Sequence, residues 1–294
     1  MTRKNQRVLV LGGTGSIGGS VAGVLRQRGH QVTCLARSDK ADESLRASRL
    51  NTIRGDIRSP DQWVGCAEKF DAVISAASTW SDDEARVDRQ LTEKLLEAFS
   101  TSDAAKTVIY TDGCWSYGNT GDTIATEDTP FDPLPEFAWS IETARQVRDN
   151  RHVRGMVILP AMVYERDGGV LDQMAEDAQA RDRIRIVGSE DVRWPLVHRA
   201  DLALLYALML ERGEPGDSFN GAGIVSMPVG KIARTLARRF GKPEDLDVLT
   251  VEQAVRDIGS WTIGYALDQQ MSSAKAMRDL GWTPEHTDIL AELS

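Results

Sequence analysis

An α/β fold, a doubly wound parallel sheet carrying a small, mainly helical C-terminal lobe, is what the sequence predicts, and three observations predict it. Short apolar runs rich in β-branched residues recur over residues 8–159 and alternate with longer stretches of helical periodicity. The first run leads directly into a glycine-rich turn that opens a helix. Beyond Pro160 the alternation loosens and amphipathic helical stretches dominate.

In chain order, the pattern predicts a strand over 8–11, a helix over 17–28 and a strand over 32–36, which together make a βαβ unit. Further strands are expected at 51–53, 72–75, 107–110 and 155–159, with helices at 83–99 and 138–150 between them. Parallel strands joined by right-handed crossovers gather ligands beyond their carboxyl ends, so the chemistry belongs in the loops that follow these runs. Later come a helix over 170–180, a turn near Gly188 and a helix over 201–211 with Asp201 as its N-cap. A last strand of the sheet is expected at 218–220. Helices at 229–240 and 272–280 follow, the second stopped by Gly281.

Composition narrows the partner. A formal charge of -9 and a pI near 5.1 disfavour binding to nucleic acid or an anionic membrane, which draws on clustered Lys and Arg, and leave a small molecule as the expected partner. Cys34, Cys66 and Cys114 are odd in number and lack metal-ligand spacing, so neither a disulfide framework nor a metal site is expected. No apolar run approaches the roughly 18 residues of a membrane span, and a soluble, cytoplasmic protein is expected.

The glycine turn carries the strongest signal. In Gly12-Gly13-Thr14-Gly15-Ser16-Ile17-Gly18, Gly12 permits the tight turn, Gly15 lets a pyrophosphate approach the backbone, and Gly18 lets the helix pack closely on the strand. The free N–H groups of the helix then face the phosphates. This is a Rossmann-type dinucleotide site, and the expected division is a binding domain over 1–165, with contributions around 196–222, and a substrate lobe over 166–195 and 223–294. About 20 residues past the glycines, where an NAD site carries an acid, stand Arg37 and Ser38. A guanidinium fork and a hydroxyl suit a 2′-phosphate and favour NADP, while Asp39 leaves NAD open.

These residues resemble the extended short-chain dehydrogenase/reductases, the NAD-dependent epimerase/dehydratase group, over nearly the whole chain. Gly55-Asp56-Ile57 resembles the family's adenine-side turn, and Ser75-Ala76-Ala77, continuing to Ser78, resembles the strand end that passes the cofactor ribose. Thr126-Glu127-Asp128-Thr129-Pro130 resembles the loop before the catalytic helix, and Leu159-Pro160-Ala161-Met162-Val163-Tyr164 the segment near the nicotinamide. Val197-His198 with Asp201-Leu202-Ala203, and the terminal Leu280-Gly281-Trp282-Thr283-Pro284, complete the likeness. It implies cofactor contacts at Gly12, Thr14, Gly15, Ser16, Ile17, Gly18, Arg37, Ser38, Asp56, Ile57, Ala76, Ala77, Ser78, Thr111, Pro160, Ala161, Met162 and Val163. It also implies a homodimer through the helices at 83–99 and 138–150.

The departures from this family are chemical. Its proton relay uses a Tyr, a Lys four residues later, and a Ser or Thr on the preceding loop, and those positions hold Phe137, Ile141 and Gly113. None of the tyrosines at 110, 117, 164, 206 and 265 has a Lys four residues on. Cys114 and Trp115 replace the acidic pair of sugar dehydratases. An alternative proton donor is therefore sought on the same loops, first Tyr117, then Cys114 and Ser116, with Asp112, Tyr164 and His198 behind them. No Ser stands in a nucleophile-elbow context, so a Ser-His-Asp triad is not expected. Trp80, Trp115, Trp139 and Trp194 are expected to border the cleft, with Arg193 available to an anionic group, which suits a bulky cyclic or apolar substrate. Two functions follow: an NADP-dependent oxidoreductase or isomerase with a non-standard proton donor, or a non-catalytic NADP-sensing or ligand-binding protein.

Overall fold

Val8, Leu9, Val10 and Leu11 have no exposed surface, because β1 (Arg7–Leu11) is an interior strand covered on both faces. The computed structural model describes residues 5–100, 105–166 and 168–294. The chain continues through α1 (Ser16–Gln27), β2 (Gln31–Ala36), α2 (Asp39–Ala47), β3 (Asn51–Arg54), β4 (Ala72–Ser75), α3 (Glu84–Ser100), β5 (Lys106–Thr111), α4 (Trp139–Arg148) and β6 (Val153–Pro160). The ends of these strands lie within two residues of the positions expected from periodicity. Then come β7 (Met162–Glu165), β8 (Gly168–Gly169), α5 (Asp172–Ala180), β9 (Arg185–Val187), β10 (Arg193–His198), α6 (Arg199–Arg212) and β11 (Ser218–Gly221). The chain closes with β12 (Ile224–Pro228), α7 (Val229–Arg239), β13 (Asp247–Leu249), α8 (Val251–Asp257), α9 (Ala274–Leu280) and α10 (Ile289–Leu293).

Seven parallel strands form the central sheet in the order β11-β6-β5-β4-β1-β2-β3. The winding direction reverses between β1 and β4, and this is the crevice where doubly wound sheets bind ligands. Right-handed crossovers then put α1 and α2 on one face and α3 and α4 on the other. Helix α6 packs against α1 and is apolar all round. Leu202, Ala203, Leu205, Tyr206, Ala207, Met209 and Leu210 show no exposed surface. Near its end, buried Glu211 accepts two 2.7 Å bonds from Arg28, with His30 Nε2 3.4 Å away, which ties α6 to the end of α1.

The C-terminal part holds more sheet than its sequence suggests. A four-stranded sheet, β12-β10-β7-β8, and a parallel pair, β13-β9, stand beside its helices. These strands are two to six residues long, too short for alternation to stand out. One expected cap is corrected. Helix α6 starts at Arg199 with His198 as its N-cap, the ring Nδ1 accepting from Ala200 N at 3.3 Å. Asp201 lies inside the first turn, and its carboxylate instead accepts the backbone N–H groups of Glu285 and His286 at 3.1 and 2.8 Å.

Candidate functional site

The turn between β1 and α1 is shaped by close approach. Gly12 has φ +84°, and a Cβ there would lie 2.4 Å from the carbonyl oxygen of Ala76 on the neighbouring β4 loop. A Cβ at Gly18 would lie 2.3 Å from the Gly12 oxygen. Gly15, by contrast, is exposed and its open side meets only the Gly12 oxygen, at 3.3 Å. Ser16 Oγ at the start of α1 is buried and finds no hydrogen-bond partner. A helix N-terminus, an open glycine crest and an unpartnered hydroxyl together fit a pyrophosphate, so the chain's residues suit the dinucleotide that the sequence suggests.

At the end of β2, Arg37 is exposed and makes no ion pair among the described residues. Ser38 caps α2, accepting from Ala41 N at 3.2 Å, and its hydroxyl proton is left to donate. Asp39 is turned to Arg54 at 2.8 Å. Across the crevice, the Asp56 carboxylate accepts from Arg58 N at 2.9 Å, and Ile57 is half-buried beside it. Ala76 and Ala77 face Gly12, and Ser78 donates to Glu84 at 2.7 Å. On the far side, Pro160 ends β6, Ala161 donates to Gly221, and Met162 and Val163 begin β7.

The loop after β5 carries a titratable carboxyl, Asp112. Thr111 Oγ1 pairs with the Tyr206 hydroxyl at 2.6 Å. Asp112 accepts the Ser116 hydroxyl at 2.9 and 3.0 Å and is also bonded by Ser140 of α4 and the Gly113 N–H. Burial raises the Asp112 carboxyl to about 6 against those bonds. On α3, burial raises Asp88 to about 6 as well, while Tyr110 donates to it at 2.9 Å. Phe137 and Ile141, which the resemblance sets at the Tyr and Lys positions, are both half-buried. A Cβ at Gly113 would meet nothing within 4 Å, so no steric demand explains glycine at the third position.

The sequence-derived donors differ in freedom. The Tyr117 hydroxyl is committed to Asn220 Oδ1 at 2.9 Å, and burial raises its pKa. Burial pushes the Cys114 thiol up to about 12, which keeps it protonated. Ser116 is buried, but its proton already faces a carboxylate. Tyr164 donates to Glu292 at 3.1 Å, and the His198 ring stacks on His286 at 3.7 Å. His198, Asp201 and His286 bring possible metal-ligating atoms within 4.8 Å of one another, with Asp201 already accepting two backbone N–H bonds and facing His286 Nδ1 at 3.1 Å.

Of the expected substrate contacts, Trp80 is 72% exposed at φ +49°, its N–H held by Glu84 at 2.6 Å. Trp115 packs on Phe137 in a tilted arrangement with ring centres 4.6 Å apart, and Trp139 is half-buried at the start of α4. Trp194 is buried, its Nε1 donating to Tyr265 O at 3.0 Å. The Arg193 guanidinium is already paired with Asp268 at 2.6 Å and Asp122 at 3.1 Å. The sequence reading undervalued Asp112 and missed Ser140 and Tyr265. Asp112 had a signal, a carboxylate at the end of a sheet strand, whereas the other two depend on tertiary packing.

A model of the NAD dependent epimerase/dehydratase family matches residues 8–222, from the first strand through the last strand of the central sheet. The chain belongs to that family. Over 98% of its length it is 27% identical to an uncharacterised Saccharomyces cerevisiae protein, of which it covers 97%. Among solved structures of the same fold, it resembles a Bacillus anthracis dTDP-glucose 4,6-dehydratase in complex with NAD, with TM-score 0.79, 17% identity, and 98% and 94% of the two chains covered. It equally resembles a human epimerase family protein with NADPH, with TM-score 0.79, 21% identity, and 98% and 97% coverage. Among the described residues no helix is long and apolar enough to cross a membrane.

Proposed function

We propose that this epimerase/dehydratase family member is an NADP-dependent oxidoreductase or epimerase acting on a bulky, cyclic or apolar organic substrate, with proton handling moved to the β5 loop. The unpartnered Ser16 hydroxyl at the glycine crest carries the reading, since it leaves a buried donor waiting for a phosphate oxygen. Arg37, beside the Ser38 hydroxyl and without an ion-pair partner among the described residues, favours a 2′-phosphate, while Asp39 is paired with Arg54. A bound nicotinamide supplies hydride acceptance and donation. On the protein side, Ser116 and Asp112 move the proton: Ser116 stands hydrogen-bonded to a carboxylate that titrates near 6 and can take up a proton close to neutral pH. Tyr117 and Cys114 suit that task less, one bound to Asn220 and the other held as a thiol.

The function implies a cytoplasmic protein, and pairing through α3 and α4 as a homodimer belongs to the same proposal. The test is titration with NADPH and NADH, followed by turnover with a panel of cyclic ketones and enones. Tight NADPH binding with turnover that Asp112→Asn reduces is expected. Hydrocarbon at positions 137 and 141 favours a second reading, a non-catalytic NADP sensor, which tight binding without turnover would select. Absence of affinity for either cofactor would remove both.

A further inference from the structure

Of the tyrosine hydroxyls, those of Tyr110, Tyr117, Tyr164 and Tyr206 are bonded to Asp88, Asn220, Glu292 and Thr111. The Tyr265 hydroxyl has no partner among the described residues. Its ring is nonetheless fixed, edge-on to Trp115 with centres 6.2 Å apart and packed on Trp194 at 4.9 Å. Trp115 in turn packs, tilted, on Phe137, the residue that the resemblance sets at the family's phenol position.

These contacts join three separate segments: the β5 loop, the residues entering α4, and the turn at Ser260–Ala266 in the C-terminal part. Gly264 makes the join possible. A Cβ there would lie 2.5 Å from the Trp115 ring, so only glycine lets the turn lie against the indole. The indole Nε1 of Trp115 is buried and also finds no acceptor. One aromatic wall therefore carries a buried indole N–H that the protein does not satisfy, which a folded interior avoids, and beside it a half-buried phenol with no partner among the described residues.

We infer that the wall of Phe137, Trp115 and Tyr265 binds a planar aromatic ring, and that the Tyr265 hydroxyl donates a hydrogen bond to an oxygen the ring carries. This rests on the substrate half of the proposed function and narrows it to aryl carbonyl compounds. Phe137, Trp115 and Tyr265 pack on one another and each keeps part of its ring exposed, and such a surface favours a ring over a chain, because offset and edge-on aromatic contacts need a π-system. A phenol and an indole N–H select an acceptor over a cation or a bare hydrocarbon.

The test is calorimetric titration of the full chain, with and without saturating NADPH, using 2-acetonaphthone, 2-ethylnaphthalene and cyclohexyl methyl ketone. The first has both ring and oxygen, and each of the others lacks one. The ketone with the flat ring should bind at least about tenfold tighter than either analogue. Tyr265→Phe should bring it down to the level of 2-ethylnaphthalene and leave that hydrocarbon unchanged. Trp115→Leu should weaken both naphthalenes, and Phe137→Leu serves the same purpose if Trp115→Leu does not fold. Unchanged ketone binding in Tyr265→Phe, or equal binding of the three compounds, overturns the inference. Ketone binding in a protein that does not bind NADPH would sink the proposed oxidoreductase and leave the aromatic site standing.

Discussion

Replacing Gly18 with alanine sets two effects of one methyl group against each other. Within a helix, alanine is better than glycine by about 1 kcal/mol. At Gly18, however, the new Cβ would sit 2.3 Å from the Gly12 oxygen and 2.6 Å from its carbonyl carbon. Both are backbone atoms that cannot rotate away, so the start of α1 must move out by roughly 1 Å, and overpacking of this kind costs about 1–3 kcal/mol. The two effects nearly cancel in stability, leaving a loss of about 0–2 kcal/mol. They do not cancel in binding, because the same shift lifts the N–H groups of α1 away from the phosphates. Losing one charge-assisted bond of about 1.5–3 kcal/mol predicts NADPH affinity lower by roughly 10- to 150-fold. Gly23, five residues further along α1, is the control, since a Cβ there meets nothing within 4 Å. Gly23→Ala should stabilise the protein by about 0.4–1 kcal/mol without changing affinity. Urea unfolding and fluorescence titration of each variant decide the matter. A folded Gly18→Ala protein that binds NADPH as tightly as Gly23→Ala would refute the reading of this turn as a pyrophosphate cradle.

Arg37→Ala should weaken NADPH by about 10- to 100-fold and leave NADH unchanged, the worth of a charge-assisted phosphate contact, as measured by paired titrations. Equal losses for both cofactors would place Arg37 elsewhere. Asp112 has a folded pKa raised to about 6 from an ordinary 3.8, so the folded protein holds its proton over a range where the unfolded chain has released it. Stability should therefore fall as pH climbs from about 4 to about 6, with a slope of up to about 1.4 kcal/mol per pH unit. Asp112→Asn should flatten this dependence only in part, because Asp88 is also raised to about 6. Urea midpoints across that pH range provide the check. Glu211→Ala strands Arg28 and His30, and should cost somewhat less than the ~3–5 kcal/mol of a broken buried pair, because Arg28 is 33% exposed. An unfolding free energy within about 1 kcal/mol of the parent would show the pairing to be dispensable.

The central sheet was legible because its signals are local. Parallel strands covered on both faces read as unbroken apolar runs, as in residues 8–11 and 72–75, and the glycine turn fixes the register of the first βαβ unit. The second sheet was not legible. Arg193–His198 includes an arginine, a proline and a histidine, and its place between β7 and β12 depends on partners 30 or so residues away on either side. The turn that opens α1 followed from sequence for the same local reason. The aromatic wall did not, since Tyr265 meets Trp115 only through a fold that brings residues 150 positions apart together.

Phe137 and Ile141 look, from sequence, like a relay erased. In three dimensions Phe137 packs its ring, tilted, against Trp115, and Trp115 in turn requires glycine at position 264. A simple loss of function needs none of these fits. Changing Trp115 to a smaller residue would empty the space that Phe137 and Gly264 share, and a side chain at Gly264 would push the indole off Phe137. Three residues from three segments are thus mutually constrained around one aromatic surface, while the carboxylate that takes up a proton near neutral pH stands three residues before Trp115, at Asp112. That coupling is what the proposed site requires: hydrocarbon where the proposed flat ligand would lie, and a titratable carboxylate at the strand end behind it.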